Sequence, residues 1–70
     1  MAKVDKGLAT ALRKARARLG ETQAQFAARM GVNQATISRW EVDGPRTGPS
    51  KAAARHILSS VEHIFGSPAR

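Results

Sequence analysis

All-α is the fold class that this 70-residue sequence predicts, and three observations predict it. Apolar residues recur at helical spacing along nearly the whole chain. No stretch alternates apolar and polar residues as a half-buried strand would. Glycines at 20, 31, 44 and 66 fall at the ends of the periodic runs, where helices stop. The expected architecture is a compact four- to five-helix domain over residues 1–66, with a short tail, "SPAR", at 67–70.

The first run sets Leu8, Ala11, Leu12, Ala15 and Leu19 on one face, with Arg13, Lys14, Arg16 and Arg18 around it; Gly20 ends it. "TQAQ" at 22–25 has the form of a capping box, with Thr22 as N-cap and Gln25 three residues on. The short run behind it turns Phe26, Ala27 and Met30 inward and stops at Gly31. Asn33 suits the N-cap of a third run that carries Ile37 and Trp40 inward and closes at Gly44. "GPRTGPS" at 44–50 reads as an irregular linker because of its two glycines and two prolines. Ser50 is then the expected cap of a last run in which Ala54, Ile57, Leu58, Val61, Ile64 and Phe65 recur. Residues 51–65 make one helix, or two if the chain breaks at Ser59–Ser60.

Charge gives the first functional indication. Twelve Lys and Arg against five Asp and Glu leave a net +7, which favours an anionic partner such as nucleic acid, acidic lipid or acidic protein. The alternative is a basic surface that only keeps a small domain soluble. The absence of cysteine excludes disulfides and thiolate metal sites. No apolar run has the length of a membrane span, and no signal-peptide stretch opens the chain, so a cytoplasmic, nucleoid-associated protein is expected.

Only "GVN" separates the second and third runs, so the two short helices must cross steeply, with Gly31 supplying the positive φ of the turn. Ala27 is small where the axes come closest, and Val32 and Ile37 plug the angle between them. The pattern Gln23, Phe26, Ala27, Met30, Gly31, Val32, Ile37, Trp40 resembles the helix-turn-helix of the phage-repressor and Cro family. The likeness is close over about residues 22–43 and looser over the first helix, taking in roughly residues 8–44.

The resemblance implies a sequence-specific regulator of transcription that binds double-stranded DNA, with the third helix in the major groove. Gln34, Ala35 and Arg39 match positions where family members contact base edges, and Ser38 points to a similar edge. The chemistry suits them: Gln pairs with adenine, Arg with guanine, and Ala packs on a thymine methyl. Gln23 matches a phosphate contact at a helix N-terminus, with Thr22 assisting from the cap. Asn33 and Thr36 are contacts to phosphate or base, or are simply caps. Arg46, Thr47 and Lys51 follow the recognition helix, where the family grips the backbone again, and Arg13 and Lys14 are candidates for flanking phosphates. Arg16 and Glu41 match a structural ion pair between the first helix and the end of the third. Trp40 belongs to the motif core ahead of any role in base stacking. The family also implies a homodimer on DNA, which can be a monomer in solution. Ile64 and Phe65, near the end of the last run, are the candidate dimer surface, or else complete the core.

Nothing in the pattern suggests an enzyme, a cofactor, a metal or a small-molecule ligand. His56 and His63 stand seven residues apart, roughly 10 Å along one helix, too far to share a zinc ion. There is no strand to precede a phosphate-binding glycine loop. Two other readings stand beside the leading one, a small Cro-like repressor. One is an antitoxin-type autoregulator that also binds a toxin, which the short "SPAR" tail disfavours. The other is a basic module that meets acidic protein or RNA.

Overall fold

Asp5 caps the first helix, its carboxylate accepting the Leu8 N–H at 3.0 Å. The computed structural model describes residues 5–66, so the "SPAR" tail and residues 1–4 of the expected domain lie outside the described residues. Four helices follow in order: α1 (Lys6–Leu19), α2 (Gln23–Met30), α3 (Gln34–Val42) and α4 (Gly48–Ile64). No strand occurs among the described residues. None of the helices is long and apolar enough to cross a membrane.

Each helix contributes a stripe to a single core. Leu12 and Ala15 come from α1, Phe26 and Ala27 from α2, Ile37 and Trp40 from α3, and Ala54, Ile57 and Val61 from α4. Leu8, Leu19, Met30, Val32 and Leu58 pack half-buried at its margin. On α1 the face is rotated from the one expected: Ala9 is buried and Ala11 is only half-buried. The stripe of α4 also ends early, because Ile64 and Phe65 are 49% and 43% exposed and do not complete the core.

The start of α4 corrects two expectations. Thr47, not Ser50, is the N-cap, and its hydroxyl accepts the Ser50 N–H at 3.1 Å. Pro49 does not exclude helix there, since a proline in the first turn removes an N–H that would have no intrahelical partner. Ser59 and Ser60 do not break the helix either; the Ser60 hydroxyl donates to the His56 carbonyl at 3.0 Å, and α4 runs unbroken for 17 residues. The described residues thus form four helices, the lower of the two numbers expected.

Of the linker expected at 44–50, residues 48–50 already belong to α4; Gly44 and Pro45 are buried, and only Arg46 and Thr47 lie exposed between the helices. Gly44 has φ +86°, and a Cβ there would lie 2.0 Å from the Asp5 carbonyl oxygen. The chain leaving α3 therefore passes against the backbone that begins α1, an approach only glycine permits. Gly31 also has a positive φ, +72°, but open space where its Cβ would point. Gly44→Ala is therefore expected to cost about 3 kcal/mol, from steric overlap added to backbone strain, and Gly31→Ala about 1 kcal/mol from strain alone. Thermal unfolding of the two variants followed by circular dichroism checks the order.

Candidate nucleic-acid interface

Local chemistry builds the α2–α3 unit. Thr22 and Gln25 form a reciprocal capping box, the Thr22 hydroxyl accepting the Gln25 N–H at 3.1 Å and the Gln25 side chain accepting the Thr22 N–H at 2.9 Å. At the other end of α2 the Gly31 N–H donates to Ala28 at 3.3 Å and the Val32 N–H to Ala27 at 3.0 Å. This pairing of the last carbonyls requires the left-handed glycine. Asn33 then starts α3 by accepting the Ala35 N–H at 2.8 Å.

The short turn leaves α3 lying across α2 with two distinct sides. Ile37 and Trp40 face the core and Ala27 is buried beneath them. Gln34, Ala35 and Arg39 are exposed, and Thr36 and Ser38 are half-buried beside them. A cavity of about 200 Å³ lies between α3 and the start of α4, lined by Arg39, Trp40, Gly44, Arg46, Thr47 and Ser50. Arg46 is exposed, 3.9 Å from Asp43, and Lys51 follows it on the first turns of α4. Basic side chains and a helix N-terminus thus stand beside the exposed rim of α3, a chemistry suited to phosphate.

The other end of α3 is fixed by charge. Glu41 is 4% exposed, the only buried charged residue among those described. Its carboxylate accepts from Arg16 Nε at 2.7 Å and from a second Arg16 nitrogen at 2.9 Å, a bidentate pair joining α3 to α1. The Gln23 amide adds a third bond at 3.1 Å, bringing in the first turn of α2. Arg16 also donates to the Glu21 carbonyl at 3.1 Å, holding the α1–α2 connection. Burial pushes the Glu41 carboxyl up, but the hydrogen bonds from Arg16 and Gln23, with the charges of Arg16 and Arg13, outweigh it and hold the group below its ordinary range.

Several candidate contacts therefore already have work inside the molecule. Arg13 donates to the Glu41 backbone carbonyl and, at 3.2 Å, to Thr10, so it closes the C-terminal end of α3. Lys14, its neighbour, instead lines a groove between α1 and α4. The Gln23 side chain is tied to Glu41, which leaves its backbone N–H at the head of α2. Thr22 and Asn33 both act as caps. Ile64 and Phe65 lie outside the core at the far end of α4.

Three features escape a reading of the chain by local pattern. Arg29 binds Glu21 at 2.8 and 2.5 Å across the α1–α2 turn. Arg18 pairs with Glu62 at 2.9 Å and lies 4.1 Å above the Phe65 ring. The Arg13 grip on α3 joins residues 28 apart. None has a helical i, i+3 or i, i+4 spacing to announce it.

Two short helices crossing at a left-handed glycine, the second with its polar rim outward, define a helix-turn-helix domain. A family description of the helix-turn-helix class matches residues 12–58. The chain belongs to that family, of the Cro/C1 type, whose members are DNA-binding regulators of transcription. No curated protein and no solved structure matches it.

Replacing Glu41 by Gln keeps the shape but leaves Arg16 without its counter-charge, at an expected cost of about 3 kcal/mol. The pH dependence has a definite sign. A carboxylate whose folded pKa is depressed stabilises the fold above its unfolded value, near 4.5, and that stabilisation is lost as pH falls through the depressed one. The native chain should lose stability steeply over that acid range, and Glu41→Gln, less stable at neutral pH, should lose less. Denaturant titrations at a series of pH values measure both.

Proposed function

We propose that this chain is a small Cro-like repressor that binds a pseudo-palindromic operator through the major groove. The observation that carries the reading is the outward rim of α3: Gln34, Ala35 and Arg39 are exposed while Ile37 and Trp40 hold the same helix to the core. Gln34 and Arg39 read base edges, Ala35 packs on a thymine methyl, and Ser38 lies on the shallower side of the rim. The free N–H groups at the head of α2, at Gln23, with Thr22, Asn33 and Thr36, meet one phosphate run. Arg46, Thr47 and Lys51 meet another. Arg13 serves chiefly to brace α3, and Lys14, on the α1–α4 side, is left out of the phosphate set.

A single module of this size covers only about 600–1,000 Å² on DNA, so two copies on adjacent half-sites are the natural route to useful affinity. Ile64 and Phe65, exposed at the end of α4, are the surface through which the copies meet on DNA, while the free chain is a monomer. Such a protein works in the cytoplasm on the nucleoid. Selection of bound sites from random duplexes tests the whole reading. Recovered sites with inverted symmetry and half-sites about one helical turn apart support it, and a pool without consensus refutes it.

Two substitutions separate base reading from phosphate binding. Arg39→Ala should cost about 1–3 kcal/mol on the selected site and relax preference at one base pair. Lys51→Ala should weaken binding to all duplexes alike and lower the slope of log affinity against log salt by about one unit. Fluorescence anisotropy on matched and mismatched duplexes at several salt concentrations distinguishes the two patterns.

A further inference from the structure

Every carboxylate in the chain has an internal partner. Asp5 caps α1, Glu21 holds Arg29, Glu41 holds Arg16, Asp43 stands by Arg46, and Glu62 holds Arg18. Lys14, by contrast, is exposed and forms no ion pair among the described residues. It stands on the edge of an open, largely apolar groove of about 470 Å³ between α1 and α4. Ala11 and Ala15 from α1 and Leu58 and Val61 from α4 form its floor, with Arg18 and Glu62 at its end. The groove shares no residue with α2 or α3.

We infer that this groove is a docking site for an acidic amphipathic helix of another protein, which seats apolar side chains on the floor and carboxylates against Lys14 and Arg18. Three occupants compete for such a surface, and charge and polarity separate them. A second copy brings a further +7 and only five acidic side chains, each already at a cap or beside an arginine, so its charge opposes docking. A nucleic-acid duplex supplies negative charge, but its sugar–phosphate exterior has nothing to bury on an apolar floor. An acidic amphipathic segment supplies both, and helix-in-groove binding is an established use of such a cleft. Arg18, although paired with Glu62, is 46% exposed and can share a second carboxylate. The chain would then hold DNA through α3 and an acidic partner through α1 and α4 at the same time. This inference does not depend on the operator reading.

The test is amide chemical-shift mapping of the full chain by NMR. The probe is a synthetic peptide of about 14 residues with leucines at i, i+4 and i+7 and glutamates between them. Saturable shifts at Ala11, Lys14, Arg18, Leu58 and Glu62, with Gln34 and Arg39 unmoved and Kd on the order of 100 µM, support the site. The same peptide with glutamine for glutamate should bind at least about tenfold more weakly at low salt. Ala11→Gln, and independently Ser59→Gln on the exposed side of α4, should remove the peptide shifts while anisotropy shows DNA binding unchanged. Equal binding of the two peptides, or no shifts at the groove, overturns the inference. So does movement of the Ala11, Lys14 and Leu58 amides on raising the protein concentration alone, which gives the groove to a second copy, or on adding duplex DNA alone. Arg18 and Glu62 are set aside in these two arms because they border the proposed Ile64–Phe65 dimer surface.

Discussion

One buried carboxylate settles how three helices sit relative to one another. Glu41 is withdrawn from water at the end of α3, and an unpaired charge in such a place is costly enough that the fold must bring partners to it. Arg16 meets it from α1 with two bonds and Gln23 meets it from α2 with one. A charge satisfied by three donors from two other helices tolerates few arrangements. Apolar contacts accept small slides and rotations; a bidentate guanidinium–carboxylate pair does not. The core therefore supplies cohesion, and Glu41 supplies the angle at which α3 leaves the rest of the molecule.

That angle matters because the recognition rim is short. α3 spans only nine residues, and its exposed side offers two long polar side chains, Gln34 and Arg39, one turn and a little more apart. In the reading proposed above, base readout depends on both reaching the floor of a groove together. Asn33 fixes the near end of the helix, while the Arg13 bond to the Glu41 carbonyl and the carboxylate pair fix the far end. The helix is presented with little freedom left to lose on binding, which lowers the entropic cost of recognition.

The parts of this arrangement that lie close together in sequence are the parts a reader of the sequence can find. The capping box at Thr22–Gln25, the glycine at 31 and the Asn33 cap are all written within a few residues of the structure they form. The inward positions of Phe26, Ala27, Ile37 and Trp40 follow from the 3.6-residue period. The failures have equally local causes. At the head of α4, Thr47 and Ser50 are both acceptable caps, and local pattern does not choose between them, because proline breaks a helix in its interior yet is well suited to a first turn. On α1, Ala9 and Ala11 have identical side chains, so composition could not say which faced inward. Long-range pairs such as Arg18–Glu62 leave no trace in spacing, because their partners meet only after α1 and α4 have packed.

Charge is distributed by the same logic that fixes the fold. All five acids are engaged at caps or ion pairs, so nearly all the negative charge is used in holding elements in place. What remains without an ion pair among the described residues is positive: Lys6, Arg13, Lys14, Arg39, Lys51 and Arg55. A carboxylate left free near α3 would repel phosphate and slow encounter with DNA; one already bound to an arginine has its field largely cancelled. The separation also bears on self-association. Copies that each carry a net +7 repel in free solution, and the repulsion is relieved when phosphates lie between them. A polyanion is therefore more than the target of such a chain. It is the condition under which the two copies of the proposed dimer can stand side by side.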